Sequence, residues 1–114
     1  MSESELRESA FWILATLAEQ RRHGYAIMQE VQRTTDGRVA LKVTTLYAAL
    51  ERLERAGWVV VDGEEVVGGR ARRYYQITEA GVARLTAEVR RLEDRARAAQ
   101  VRLSSRIALA GGLS

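Results

Sequence analysis

One segment, residues 41–57, constrains the fold of this chain more than any other, because it carries a helical pattern with two different faces. Leu46, Leu50 and Leu53 recur at helical spacing, which predicts one stripe facing a core. Gly57 follows the pattern, and a glycine in the left-handed conformation commonly ends a helix. The segment therefore predicts an amphipathic helix that stops just before this glycine.

The face opposite the leucines has the side chains that a helix in a DNA major groove needs. At about 100° per residue, that face carries Thr44, Ala48, Arg52 and Arg55, with Thr45 beside them. The small residues would let the backbone approach the groove, and the polar ones would meet base edges and phosphates. Glu51 precedes Arg55 by four residues, so an ion pair on a solvated surface is the alternative for that arginine.

Two strand-like runs follow the helix directly. Residues 58–61 are apolar and rich in β-branched side chains, and Asp62-Gly63 is a turn signal. After a loop through Gly68-Gly69, residues 70–77 are expected to form the return strand. These runs predict a small β-hairpin directly after the helix.

The return strand begins with a cluster of arginines. Arg70, Arg72 and Arg73 follow flexible glycines, as phosphate contact from a hairpin requires, although charge on an edge strand can also serve only to prevent aggregation. Strand alternation places Tyr75 on the core side and leaves the side of Tyr74 open. The order helix, glycine, strand, basic hairpin, strand predicts a winged helix-turn-helix.

Three blocks of sequence together resemble the PadR family of bacterial transcriptional regulators. They are residues 23–27 (HGYAI), 45–57 (TLYAALERLERAG) and 69–81 (GRARRYYQITEAG), and they occur in the family's order. The resemblance covers about residues 6–103, and the length is similar to that of the short subfamily with a single C-terminal helix. Lys42-Val43 stand where the family usually has a small polar residue and a proline or similar residue, and they add a cation at the helix entrance.

The residue chemistry and the resemblance together define a predicted DNA-binding set. Its members are Tyr25, Lys42, Thr44, Thr45, Tyr47, Ala48, Arg52, Arg70, Arg72 and Arg73. By the resemblance, Tyr47 contacts a phosphate or a base and Tyr25 is a further candidate, although either ring could instead cover the core. His23, the only histidine, precedes a predicted helix and is expected to cap or pack, since it has no cysteine or second histidine with which to hold a metal.

The N-terminal part of the chain predicts two helices. Ser2 and Glu5 offer a capping box for a first helix that runs to about Gln20. A short connector leads to a second helix, which is expected to begin at Gly24 or Tyr25 and to end at about Thr34. Residues 39–41 are long enough only for a short strand before the groove-facing helix.

The last predicted helix carries a seam of apolar residues. It begins at Thr78, a good N-cap, and runs to about Ile107, with Gly111-Gly112 ending it. The seam alternates by three and four as in a heptad: Val82, Leu85, Val89, Leu92, Ala96, Ala99 and Leu103. About 26 residues would reach roughly 39 Å, longer than a small winged domain can cover. Exposed apolar surface costs about 25 cal/mol per Å², so the seam predicts a dimer interface with a second copy.

Two aromatic residues of the first helix allow two interpretations. Phe11 and Trp12 could fill the interface between that helix and the partner's last helix. They could instead line a cavity at the dimer centre with Val89, Leu92 and Ala96. The resemblance to short PadR-like proteins implies a flat, planar hydrophobic effector near there, and the sequence leaves both interpretations open.

Composition narrows the class of protein. The 114 residues suit one domain with a modest core, and the net charge of +3 permits nucleic-acid binding without requiring it. No cysteine is present, which excludes disulfides, thiolate zinc sites and cysteine nucleophiles. Acidic residues near the N-terminus argue against an export signal, and the apolar run over residues 10–18 is too short to span a membrane. A cytoplasmic protein without a cofactor is expected, and no catalytic constellation is visible.

The predicted architecture is mainly α with a small β-hairpin: a winged helix-turn-helix over residues 1–78 and a C-terminal dimerisation helix and tail over residues 79–114. The predicted function is a homodimeric, ligand-responsive repressor that binds a palindromic DNA operator, with the helix at about Thr44–Ala56 in the major groove. The alternative is a winged-helix adaptor that docks a protein through the same surface.

Overall fold

The computed structural model describes residues 5–112, which form four helices and three strands. In chain order these elements are α1 (Glu8–Glu19), β1 (Arg22–His23), α2 (Gly24–Thr34), α3 (Val43–Arg55), β2 (Val59–Val67), β3 (Arg70–Ile77) and α4 (Glu79–Gly112). The strands form one antiparallel sheet in the order β1-β3-β2. The mainly helical winged helix-turn-helix with a long C-terminal helix is confirmed.

The core lies between α1, α2, α3 and the inner face of the sheet. Ile13, Leu14 and Leu17 of α1, together with Ile27 and Val31 of α2, are almost fully buried. The three leucines of α3 that were predicted to face a core are buried there, along with Ala49. Tyr75 is buried in the same cluster, as strand alternation predicted.

The end of α3 follows from its glycine. Gly57 has a φ of 82°, and its N–H donates to the Glu54 carbonyl at 2.9 Å. The N–H of Trp58 donates to the Leu53 carbonyl at 3.0 Å, which completes the six-to-one bond of a Schellman motif. This motif satisfies the last carbonyls of α3 and turns the chain directly into β2.

The first helix begins later than predicted. Residues 5–7 are not helical, and α1 starts at Glu8 with Arg7 as an N-cap whose side chain makes no capping hydrogen bond. Leu6 instead packs against the core, and Glu5 lies 3.7 Å from a guanidinium nitrogen of Arg91 on α4. These tertiary contacts keep the segment extended; Ser2, the other half of the predicted capping box, lies outside the described residues.

The short strand predicted before α3 is wrong in its position. Residues 39–41 form no strand; there the Thr35 hydroxyl accepts from the Val39 N–H at 3.0 Å, which stabilises an irregular loop. The short strand of this fold is instead β1, in the segment expected to be a connector, where Arg22 and His23 pair with β3. Two residues are too few to show an alternating pattern, so only pairing with β3 identifies them as a strand.

The turn predicted at Asp62-Gly63 is also wrong. Strand β2 continues through this pair to Val67, with a register shift between Val61 and Glu64 that marks a β-bulge. The hairpin turns at Gly68 and Gly69, both with positive φ (57° and 78°), as a two-residue type I′ turn requires. The wing is therefore longer than the sequence suggested.

Helix α4 joins the winged body at a tight contact. The Thr78 hydroxyl accepts from the Gly81 N–H at 3.0 Å, which confirms the predicted N-cap. A Cβ added to Gly81 would collide with the carbonyl of Trp58, so this glycine allows α4 to pack closely on the start of β2. The helix then extends to Gly112 rather than ending near Ile107, since glycine at an exposed position costs a helix only about 1 kcal/mol.

Candidate nucleic-acid interface

The N-terminal part of the outer face of α3 lies at the surface of the protein. Thr44, Thr45 and Ala48 are exposed, as the helical pattern predicted. The helix begins at Val43, and its N-cap Lys42 makes no capping hydrogen bond through its side chain. Lys42 is exposed, so its ammonium group lies at the surface beside the entrance of the helix, next to the small residues.

A concavity of about 320 Å³ lies between the start of α2, the wing-side flank of α3 and the tip of the hairpin. Its lining is His23, Gly24, Tyr25, Tyr47, Val67, Arg70, Ala71, Arg72 and Arg73. Five members of the predicted DNA-binding set thus meet in one place, although they come from three separate parts of the sequence. The exposed fractions of Tyr25 (61%) and Tyr47 (47%) show that neither ring is mainly core cover.

Gly24 is a residue of this concavity whose importance the sequence did not reveal. A Cβ at this position would collide with the hydroxyl of Tyr47 and would lie 3.0 Å from its ring carbon Cζ. The absence of a side chain therefore lets the Tyr47 ring lie over the start of α2. The block His-Gly-Tyr contained the signal, but only the packing of α3 on α2 gives it this meaning.

His23 caps α2, as the sequence predicted. Its Nδ1 accepts from the Ala26 N–H at 3.3 Å, so the ring acts as a neutral acceptor, and the ring meets Tyr74 edge-on at 5.5 Å. Burial lowers the pKa of His23, the positive charge of Arg72 lowers it further, and Glu65 opposes both. The concavity thus favours the neutral ring that the cap requires.

The charge of the wing is distributed differently from the sequence prediction. Strand β3 contributes three arginines, but β2 contributes Asp62, Glu64 and Glu65, so the two strands together carry no net charge. Glu64 faces Arg73 and Glu65 faces Arg72 in the register of the hairpin. Arg70 faces Val67 at the tip, so no carboxylate opposes it across the strands.

Tyr74 and Tyr75 lie on opposite faces of the sheet, and Arg52 lies away from the concavity. The hydroxyl of Tyr74 donates to Glu65 Oε1 at 2.9 Å, which settles the open question of its side: it lies on the sheet face away from the core. Burial raises the pKa of Tyr75, and the nearby Tyr47 raises it further. Arg52 is half-buried in a different depression with Trp58 and residues 5–7, on the opposite flank of α3.

Arg55 remains exposed at the C-terminal end of the outer face of α3. Among residues 5–112, no ion pair joins it to Glu51, the partner that the helical spacing allowed. The same range contains no group of three or more His, Cys, Asp or Glu side chains placed to hold a metal ion.

A second depression, of about 350 Å³, lies between α1 and α4. Phe11, Trp12 and Leu92 line it as the sequence suggested, but Val89 and Ala96 do not. Phe11 and Trp12 pack edge to face with centroids 5.1 Å apart. The aromatic wall therefore forms within one chain, and part of the predicted pocket stays open along α4.

The opposite wall of this depression is charged. Glu88, only 3% exposed, accepts hydrogen bonds from Arg91 at 2.6 and 3.2 Å, and Arg84 lies 3.6 Å away. These arginines hold the pKa of the Glu88 carboxyl below its usual range, the hydrogen bond from Arg91 contributing most. This charged group was not predicted from the sequence, although its spacing of four and three residues along α4 was an available signal.

The predicted dimer seam lies almost entirely on the surface of the single chain. Leu85 is half-buried and packs against the core, whereas every described residue from 92 to 111 is exposed. Val82 and Val89 are exposed too, so only one of the seven seam residues has substantial cover from its own chain. Among residues 5–112, no helix has both the length and the apolar character needed to cross a membrane.

The fold is that of a winged helix-turn-helix protein: a three-helix core, a groove-sized helix whose N-terminal outer face is exposed, and a hairpin beside it. The chain belongs to the transcriptional regulator PadR-like family, which it matches over residues 13–87. It is 42% identical over 85 residues to Transcriptional regulator Rv3488 of Mycobacterium tuberculosis, covering 75% of this chain and 76% of that protein. The family consists of transcriptional regulators rather than enzymes, in agreement with the sequence analysis.

Solved structures show the same fold. A transcriptional regulator from Clostridium thermocellum superposes with a TM-score of 0.70 at 28% identity, over 80% of this chain and 88% of that one. Bacillus subtilis PadR, in complex with operator DNA, superposes with a TM-score of 0.65 at 20% identity, over 73% of this chain and 47% of that one. The second likeness is one of fold alone.

Proposed function

We propose that this protein is a DNA-binding regulator that places α3 in a major groove and the arginines of the wing on adjacent phosphates. The observation that carries the proposal is the concavity beside α3, where Tyr25, Tyr47 and the β3 arginines converge. Phosphate contacts fix the register of such a domain, and the small residues at the front of the helix meet base edges. Bacillus subtilis PadR, a protein of the same fold, has been solved in complex with operator DNA, which supports DNA binding by this protein.

We also propose that two copies act together through α4. The seam residues Val89, Leu92 and Leu103 are exposed in the single chain, and pairing with a second copy would bury them. Residues 1–78 would then read DNA and residues 79–114 would hold two readers at a fixed distance. A symmetric dimer reads two half-sites, so its operator would be palindromic. A regulator that acts on chromosomal DNA would work in the cytoplasm.

The depression between α1 and α4 is our candidate for an effector site. Phe11 and Trp12 offer an aromatic wall to a planar hydrophobic molecule, and its open side along α4 is where a partner helix would close it. Binding there would change how α4 packs on α1 and so the spacing of the two reading helices. We propose that the operator-bound protein represses transcription and that a ligand bound in this depression releases the operator.

Enrichment of a random duplex library on the full-length protein tests the central proposal. A DNA reader should enrich an inverted repeat, and its affinity should fall linearly in log salt, because each neutralised phosphate releases counterions. A protein-docking adaptor would enrich no sequence and show no such slope, and that outcome would overturn the proposal. Quenching of tryptophan fluorescence by an acridine dye, with Trp12→Phe as the control, tests the effector site separately.

A further inference from the structure

The bulge in β2 decides where the tip of the wing points. Below it Val61 pairs with Tyr75, and above it Glu64 pairs with Arg73, so β2 contains one residue more than β3 across this step. Gly63 has a φ of 96°, which a side chain would strain. A bulge bends and twists its strand, so the direction of everything beyond it is set at Asp62-Gly63.

A bulge also leaves backbone groups outside the hydrogen-bond ladder of the strands. Here the side chain of Arg21 binds one of them. Arg21 Nη1 donates to the Asp62 carbonyl oxygen at 2.7 Å, and its Nε lies 3.9 Å from the carboxylate of the same residue. A Cβ added to Gly63 would lie 3.5 Å from Arg21 Nη1, so Arg21 reaches both residues of the bulge. Asp62 has no partner in the register of the two strands, and the guanidinium group of Arg21 gives its carbonyl a hydrogen bond.

The same side chain crosses the sheet. Arg21 precedes β1 at one edge, whereas Asp62 lies on β2 at the other edge, with β3 between them. The guanidinium carbon of Arg21 sits 4.4 Å from the centre of the Tyr74 ring on β3. The hydroxyl of Tyr74 in turn donates to Glu65, beyond the bulge. One series of contacts thus holds both sides of the bulge to the body of the protein.

We propose that Arg21 is a positioning residue for DNA binding, which fixes the bulge and thereby directs the wing tip with Arg70 and Arg72 toward the phosphates beside α3. This inference rests on the proposed DNA-binding function. Arg21 acts through Asp62 and Tyr74 and does not contact the phosphates itself. Its role depends on the planar guanidinium group, which stacks on a ring and donates sideways at the same time; a lysine ammonium has the charge without this geometry.

Conservative replacement separates this role from a direct phosphate contact. Arg21→Lys keeps the charge, so a residue that served as a phosphate contact would still work as lysine. We expect Arg21→Lys and Arg21→Gln to weaken binding to the library-selected operator to a similar extent, by about three- to tenfold, from loss of the stacking and of the bulge hydrogen bond. The slope of log affinity against log salt should stay unchanged in Arg21→Lys.

Arg70→Gln is the matched control, since it removes one wing-tip arginine with no carboxylate opposite it. Its salt slope should become shallower by about 0.9. Near-normal binding by Arg21→Lys with weak binding by Arg21→Gln would show that Arg21 contacts phosphate as a point charge. Normal binding by both would show that it has no part in DNA binding. Either result overturns the proposal, whereas failure of the wild-type protein to enrich any sequence counts against the proposed function instead.

A second variant and a second readout keep the test independent of folding. Gly63→Ala strains the bulge itself, and its methyl group would make only ordinary van der Waals contact with Arg21 Nη1. Combining it with Arg21→Lys should cost no more affinity than the worse single change, because both act on one structure. Backbone ¹⁵N relaxation should show greater mobility at residues 64–69 in Arg21→Lys, with α1–α3 unaffected. An equally rigid wing, or fully additive losses, would overturn the proposal.

Discussion

The winged body and the distal half of α4 use the same kind of sequence pattern with opposite results. In α3 the apolar stripe of Leu46, Leu50 and Leu53 is buried by α1 and the sheet. In α4 a stripe of equal regularity is left open, with Leu103 55% and Ile107 70% exposed. Periodicity therefore predicts an apolar face that needs a packing partner. The position of the helix relative to the core decides whether that partner lies in the same chain.

The dimensions of the chain explain the difference. Helix α4 has 34 residues, a length of about 50 Å at 1.5 Å per residue, whereas the molecule measures only 33 and 22 Å along its two shorter axes. The radius of gyration is 18.5 Å, against roughly 13 Å for a compact domain of this length. The distal part of α4 therefore extends beyond any surface that the same chain could pack against it.

The largest effect is expected from a charge in the body. Leu50→Asp places a carboxylate in a site that is almost fully buried and offers no partner, at a cost of several kcal/mol against a total stability of about 5–15 kcal/mol. The variant should lose its cooperative thermal transition by circular dichroism. A folded Leu50→Asp protein would show that the winged body tolerates a buried charge, which we expect only the exposed distal half of α4 to tolerate.

The distal helix should respond by losing its partner. Leu92→Asp combined with Leu103→Asp should yield a folded or partly destabilised monomer that no longer binds a two-half-site operator, because the charges fall on the seam but outside the core. Sedimentation equilibrium gives the mass. Ala87→Asp with Ala98→Asp, equally spaced but off the seam, should remain dimeric. A stable dimer from the seam variant would show that α4 is not the interface.

A change in the wing should leave the distal helix unaffected. Arg72→Ala with Arg73→Ala should weaken binding about equally on all duplexes and make the log-salt slope shallower by up to about two units, while the mass of the dimer stays the same. Titrations across salt concentrations check both parts. Because each arginine faces a glutamate across the hairpin, a change well below two units would indicate that the phosphates compete with those carboxylates.

The smallest effect concerns pH and should be confined to the body. Since burial and Arg72 lower the pKa of His23 in the folded state, the unfolded chain binds the proton more readily. The contribution of His23 to stability is then present above its ordinary pKa of about 6.5 and is lost as the pH falls through the lowered value. Melting curves between pH 5 and 8 should show this loss, and His23→Asn, another capping residue, should flatten it. An identical pH profile in the variant would exclude His23 as the source.

Prediction from sequence succeeded wherever the signal was local. The end of α3 at Gly57, the cap at Thr78 and the inward side of Tyr75 all depend on neighbours in the sequence, and each is confirmed. It failed where a distant segment decided the outcome. Residues 5–7 are extended because Leu6 packs on the core, and β1 exists because β3 lies beside it.

The candidate site divides in the same way. Residue types and spacing predicted the β3 arginines and the family resemblance added Tyr47, but neither showed that these residues share a concavity with Tyr25. The helical wheel placed Arg52 on the outer face, whereas it lies in a depression on the other flank of α3. A wheel gives angles about one axis and says nothing of what the neighbouring elements cover.

The sequence alone was enough to predict the helical segments, the end of α3 at Gly57, the hairpin loop through Gly68-Gly69 and the apolar seam of the last helix, because these depend on backbone conformation and on interactions within a few residues. The tertiary structure was needed to show that Asp62-Gly63 is a bulge rather than a turn, that Arg21 reaches across the sheet to hold it, and that two glutamates of β2 lie opposite two arginines of β3. Those features join residues that are distant in sequence, and their geometry exists only once α1, α2 and α3 have packed and set the sheet in place.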